Sequence, residues 1–112
     1  MDVVGSDVVI KTKNEYESQI WWFDQRTKTV MNTMYKGKSL SINSENMMIS
    51  KANGKWYQLF NYSQNYLKNV KDGRVIEVTG ANDSEGQSVG VGKLSYTISQ
   101  KWNIIYVDEA AE

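Results

Sequence analysis

Gln100-Lys101-Trp102 closes the last of three similar segments in this chain, and Gln19-Ile20-Trp21 closes the first in the same way. Gly54-Lys55-Trp56 stands at the matching point of the middle segment, with the glutamine lost. The three tryptophans are 35 and 46 residues apart, near the roughly 40-residue period of many repeat architectures. A unit that short cannot close its own core, so it must bury its apolar face against its neighbours. The repeat therefore speaks to fold, and the residues that differ within it speak to function.

Outward from each tryptophan the order of short apolar runs repeats. The middle copy reads Lys38-Ser39-Leu40-Ser41-Ile42, then Asn46-Met47-Met48-Ile49, then Trp56 and Tyr57-Gln58-Leu59-Phe60. The last reads Arg74-Val75-Ile76-Glu77-Val78, then Ser88-Val89-Gly90-Val91, then Trp102 and Asn103-Ile104-Ile105-Tyr106. The first reads Met1-Asp2-Val3-Val4-Gly5, then Asp7-Val8-Val9-Ile10, then Trp21 and Trp22-Phe23-Asp24. These runs alternate or are β-rich, and turn signals such as Lys36-Gly37, Asn53-Gly54 and Asp72-Gly73 separate them. No segment sustains a 3.6-residue apolar period. The expectation is an all-β chain of about ten to twelve short strands, built as a sandwich or closed barrel.

Composition narrows the class. A chain of 112 residues, 40 % of them apolar, can fill one modest core as a single domain. Zero net charge argues against a nucleic-acid or anionic-membrane surface. No apolar run approaches the roughly 20 residues of a membrane span. No secretory leader is present, though a mature chain would have lost one. Cysteine and histidine are both absent, which removes disulfides, thiolate or imidazole metal sites, and any nucleophile activated by imidazole. A catalyst would need paired carboxylates or a lysine. The acids, Asp108-Glu109 among them, fall on turns and ends with no visible pairing, so the segment is not expected to be an enzyme or to carry a cofactor. Asn82, Asp83 and Glu85 fit no twelve-residue calcium loop.

The pattern resembles the ricin B-type (R-type) lectin family, whose members are β-trefoils of three pseudo-symmetric four-strand repeats ending in Gln-x-Trp. The resemblance covers nearly the whole chain and implies one domain over 1–112, with repeats at about 1–28, 29–64 and 65–112. Thr29-Val30-Met31-Asn32 and Asn65-Tyr66-Leu67-Lys68-Asn69 would open the second and third repeats. The first repeat lacks an equivalent, so an open edge is expected unless residues before Met1 or a neighbouring segment supply that strand.

In sugar-binding members an acidic side chain accepts hydrogen bonds from sugar hydroxyls and an aromatic ring stacks on the sugar. An Asn beside the Gln of Gln-x-Trp completes the pocket. A neutral polyol needs that pairing of oriented polar groups and a flat apolar platform. Carried onto this chain, the first repeat has Asp2 as the acid, Lys11 at the platform, and Ser18 beside Gln19. The second has Ser41, Ser50, and Gly54 before Lys55. The third has Glu77, Gly92, and Ser99 before Gln100. No repeat keeps the platform, and two have lost the aspartate.

The resemblance then implies a non-catalytic lectin-like module with decayed pockets, making protein contacts inside a larger extracellular or cell-surface assembly. The alternative is a galactose- or GalNAc-type lectin that uses the first-repeat pocket. Trp21, Trp56 and Trp102 are expected in the core. Trp22, next to Trp21 on a strand, must point to the opposite face and is a candidate contact residue. Asn61 and Asn82 head sequons, acceptors of N-glycans if the chain is secreted.

Overall fold

Short alternating runs and tight turns give eleven strands and four single-turn 3-10 segments in the computed structural model, which describes residues 1–13, 16–81 and 84–107. Three hairpins recur. β1 (Asp2–Val4) pairs with β2 (Asp7–Val9), and Gly5 at φ 64° makes the tight reversal between them. β5 (Lys38–Asn43) pairs with β6 (Asn46–Lys51), and β9 (Val75–Val78) pairs with β10 (Val89–Gly92). Five further strands, β3 (Trp21–Asp24), β4 (Thr29–Asn32), β7 (Phe60–Ser63), β8 (Tyr66–Asn69) and β11 (Ile105–Val107), build the wall. β3–β4 and β7–β8 are antiparallel.

The three hairpins meet through equivalent pairings: Asp7 opposite Met48, Asn46 opposite Gly90, and Val9 opposite Ser88. Each sets the start of one hairpin's second strand, or the residue just before it, against a residue two places further along another's, so the set closes on itself with threefold symmetry. The molecule is a β-trefoil.

The inward faces of both layers share one core. Leu40, Ile76, Val30, Phe60, Leu67 and Val89 are wholly enclosed, and Ile42 is buried at its margin. Val78, two residues beyond Ile76 on the same strand face, is half-buried. Trp21 is buried, whereas Trp102 is partly buried and packs against the cluster.

Trp56 corrects the sequence reading. It is 39 % exposed, on a 3-10 turn rather than a wall strand. Phe60 holds the position that Trp21 and Trp102 hold in their repeats. The second-repeat version of the motif is Gln58-Leu59-Phe60, so the glutamine is not lost. Gln19, Gln58 and Gln100 are 39 and 42 residues apart, a more even period than the tryptophans give.

The edge expected at the missing strand is also corrected. β11 pairs in parallel with β3, Ile105 opposite Trp22 and Val107 opposite Asp24. β3, β7 and β11 are the last strands of successive repeats and share one direction. With no strand between β11 and β3 among the described residues, the two meet in parallel. That edge of β3 is thereby paired.

Two buried asparagines end β4 and β8 and tie each repeat to the one before. Asn32 donates Nδ2 to the Ser18 carbonyl and accepts from the Met34 and Tyr35 N–H groups. Asn69 donates to the Trp56 and Leu59 carbonyls and accepts from the Lys71 and Asp72 N–H groups. Each latch fixes the 3-10 turn that carries the glutamine of a candidate pocket.

Candidate functional site

The three glutamines sit at the ends of 3-10 turns Glu17–Gln19, Trp56–Gln58 and Ile98–Gln100. Each donates Nε2 to a backbone carbonyl at or just past the end of a hairpin: Thr12 at 3.0 Å, Lys51 at 3.0 Å and Lys93 at 2.9 Å. Gln58 and Gln100 also accept the Asn53 and Ser95 N–H groups, both at 2.9 Å. The glutamine is therefore first a clamp for the loop between hairpin and turn. Its second hydrogen on Nε2 goes to the acid position in the first and third repeats but not in the second.

In the first repeat Gln19 Nε2 donates to Asp2 Oδ2 at 3.2 Å, and Val3 N donates to Oδ1 at 2.7 Å. Asp2 is buried. Burial alone would raise its carboxyl. Hydrogen bonds from the Ser18 side chain, the Val3 N–H and the Gln19 amide, with the Lys11 charge, outweigh that and hold it below its ordinary value. Asp2, Lys11, Ser18 and Gln19 thus do come together. The carboxylate is already served by protein donors, and exposed Lys11 stands where a ring would stack.

In the third repeat Gln100 Nε2 donates to Glu77 Oε1 at 2.8 Å. A Cβ at Gly92 would collide with that same carboxylate. Glutamate is one methylene longer than aspartate, and its head lies over the glycine at the platform position. The carboxylate takes the space that a side chain at position 92 would need.

The second repeat has neither acid nor platform. Gln58 Nε2 bonds the Ser50 hydroxyl at 3.0 Å instead. Tyr57, not Gly54, lies beside the glutamine, and its hydroxyl accepts from Asn53 Nδ2 at 2.9 Å. Trp56 meets Tyr57 edge to face, ring centroids 5.8 Å apart. These residues, with Ser41 and Arg74, line a groove of about 450 Å³. The sequence alone does not point to it, because a tryptophan at a repeat end reads as a core residue.

The remaining candidates lie apart. Trp22 points away from Trp21 as expected, but it is half-buried and lines a shallow groove with Met31 and Leu59. Asn61 is exposed and accepts from Lys28 Nζ at 2.7 Å. Asn82 and Asp83 lie outside the described residues. Glu85 accepts the Thr12 N–H at 2.7 Å, and no group of three acids suited to a metal occurs among the described residues.

Comparison with known proteins agrees with the fold. The C-terminal half of an earthworm R-type lectin, solved with GalNAc, superposes with a TM-score of 0.79 at 14 % identity, over 89 % of this chain and 84 % of that one. A mosquitocidal holotoxin superposes with a TM-score of 0.73 at 19 % identity; the match takes in 91 % of this chain but 14 % of the toxin. No curated protein matches the sequence. Residues 1–102 match the profile of the ricin-type β-trefoil lectin domain. The chain belongs to that family of carbohydrate-binding modules.

Proposed function

We propose that this domain is a non-catalytic recognition module of a larger extracellular or cell-surface assembly, in which the acid-and-platform sugar pockets have decayed and other surfaces carry binding. The observation that carries the reading is the platform position. It holds Lys11, Ser50 and Gly92, and in the third repeat the Glu77 carboxylate occupies the space. Without a stacking ring, a neutral sugar keeps only hydrogen bonds that compete with water, each netting about 0.5–1.5 kcal/mol. Surfaces for protein contact are available: Tyr96 and Ile98 are 70 % and 88 % exposed, and Trp22 lies beside Met31. The toxin match, covering 14 % of that chain, is in keeping with use as one part of something larger.

Titration of galactose and N-acetylgalactosamine to tens of millimolar, followed by NMR, tests the reading. The expected result is no saturable shift at the first or third repeat. The second reading, a lectin that uses the first repeat, is favoured by the retained Asp2–Gln19 bond. Saturable binding abolished by Asp2→Ala would establish it and refute the first.

A further inference from the structure

We propose that the second-repeat groove binds a saccharide bearing a carboxylate, with Trp56 and Tyr57 as its apolar wall and Arg74 as its anion contact. This rests on the reading that the acid-and-platform pockets no longer carry binding, and names one surface that does.

The groove has the parts in a new arrangement. Its volume of about 450 Å³ lies within the roughly 300–1,000 Å³ of small-ligand sites. The platform residue on β6 has become Ser50, while aromatic surface comes from the opposite wall, the turn Trp56–Gln58. Large apolar side chains are normally enclosed, so a tryptophan 39 % exposed at the rim of a groove is surface available to a sugar face. Lys71 Nζ lies 4.7 Å from the Trp56 ring centroid. That contact holds the indole in place and adds a cation beside the groove.

Charge selects the ligand. The other two repeats carry Asp2 and Glu77 at the acid position, but here it is Ser41, and among the described residues no carboxylate lines the groove. Arg74 does. Its Nε pairs with Asp72 Oδ2 at 2.9 Å, and its Nη1 donates to the Ser44 carbonyl at 3.2 Å. Those bonds fix the guanidinium and leave Nη2 without a protein partner among the described residues. A fixed, partly unpaired fork beside hydroxyls and an aromatic wall suits a carboxylate on a polyol ring. An aspartate in place of Ser41 would repel that ligand.

The experiment compares methyl glucuronide with methyl glucoside, and sialyllactose with lactose, by NMR of the Trp56 indole in the intact chain. At least one acidic sugar is expected to bind fivefold or more tightly than its neutral parent, with the preference shrinking in high salt. Trp56→Ala should weaken the acidic sugar at least fivefold. Arg74→Gln should reduce the preference below twofold, and Arg74→Lys should restore part of it. Equal binding of acidic and neutral partners overturns the proposal. So does the absence of saturable binding, or binding untouched by Trp56→Ala in a variant whose melting is unchanged. Galactose binding lost in Asp2→Ala would sink the decayed-pocket reading and leave this groove standing, so the two fail separately.

Discussion

Trp102 donates its indole N–H to the Ile76 carbonyl at 3.0 Å, and Trp21 makes the same bond to the Met1 carbonyl at 3.0 Å. Ile76 and Met1 each precede the acid position of their repeat. The bond ties the floor of the barrel to the strand that presents the acid, so the fold motif and the pocket share one joint. In the second repeat Phe60 takes the position with no donor to offer.

Truncating that position should show which aromatic belongs to each repeat. Phe60 is wholly enclosed, so Phe60→Ala is expected to cost about 3–5 kcal/mol. Trp102→Ala should cost about 3 kcal/mol, near the low end because the ring is partly buried. Trp56→Ala should cost less than about 1 kcal/mol, since it removes mainly an exposed cation–π contact. Urea denaturation of the three variants checks the ranking. A Trp56 cost equal to that of Phe60 would overturn the assignment.

Much of this was legible in the chain. The alternation of Ser39-Leu40-Ser41-Ile42 puts Leu40 and Ile42 on one face of their strand, and the structure buries both in the core. The positions Asp2, Ser41 and Glu77 come from the family resemblance rather than from the strands themselves, and the structure sets Asp2 against Gln19 and Glu77 against Gln100. The second-repeat tryptophan did not. Trp56 is large and apolar, and composition alone cannot separate a core ring from one on a groove rim. Its turn is held by Gln58 and Asn69 through backbone carbonyls, contacts that leave no periodic trace. The even spacing of Gln19, Gln58 and Gln100 was the available signal. The parallel pairing of β11 with β3 is hidden for another reason: strand propensity says nothing about which partner a strand finds.

The asparagine latch should be worth more than an ordinary surface hydrogen bond. Asn69 is 2 % exposed and serves four backbone groups. Asn69→Ala leaves those groups to find water or go unpaired, and is expected to cost at least about 2 kcal/mol. Amide exchange should also quicken at Lys71 and Asp72, whose N–H groups lose their acceptor. Unchanged protection there would mean that the turn holds without the latch.

Asp2 makes a pH prediction with a definite sign. Its folded carboxyl titrates below its ordinary value. The unfolded chain therefore binds more protons in acid, and the stabilisation is fully present above the usual aspartate value of about 3.9. It is lost as pH falls through the lower folded value. The stability gap between wild type and Asp2→Asn should be widest near neutrality and close below about pH 4. Denaturation midpoints from pH 3 to pH 7 measure it, and a gap that widens in acid would reverse the sign.

Gly92 and Glu77 should behave as a coupled pair. A methyl group at position 92 meets the Glu77 carboxylate, so Gly92→Ala must push that head aside and strain its 2.8 Å bond from Gln100. On a strand, alanine otherwise gains about 0.5–1 kcal/mol over glycine through lower conformational entropy in the unfolded chain. Gly92→Ala is therefore expected to destabilise the wild-type chain and to be neutral or stabilising once Glu77→Ala has emptied the space. Residues in contact typically couple by about 0.5–3 kcal/mol, and chemical denaturation of the four members of the cycle reads that value directly. Strict additivity would show that the carboxylate does not occupy the platform position, and would remove the observation on which the decay of the third pocket rests.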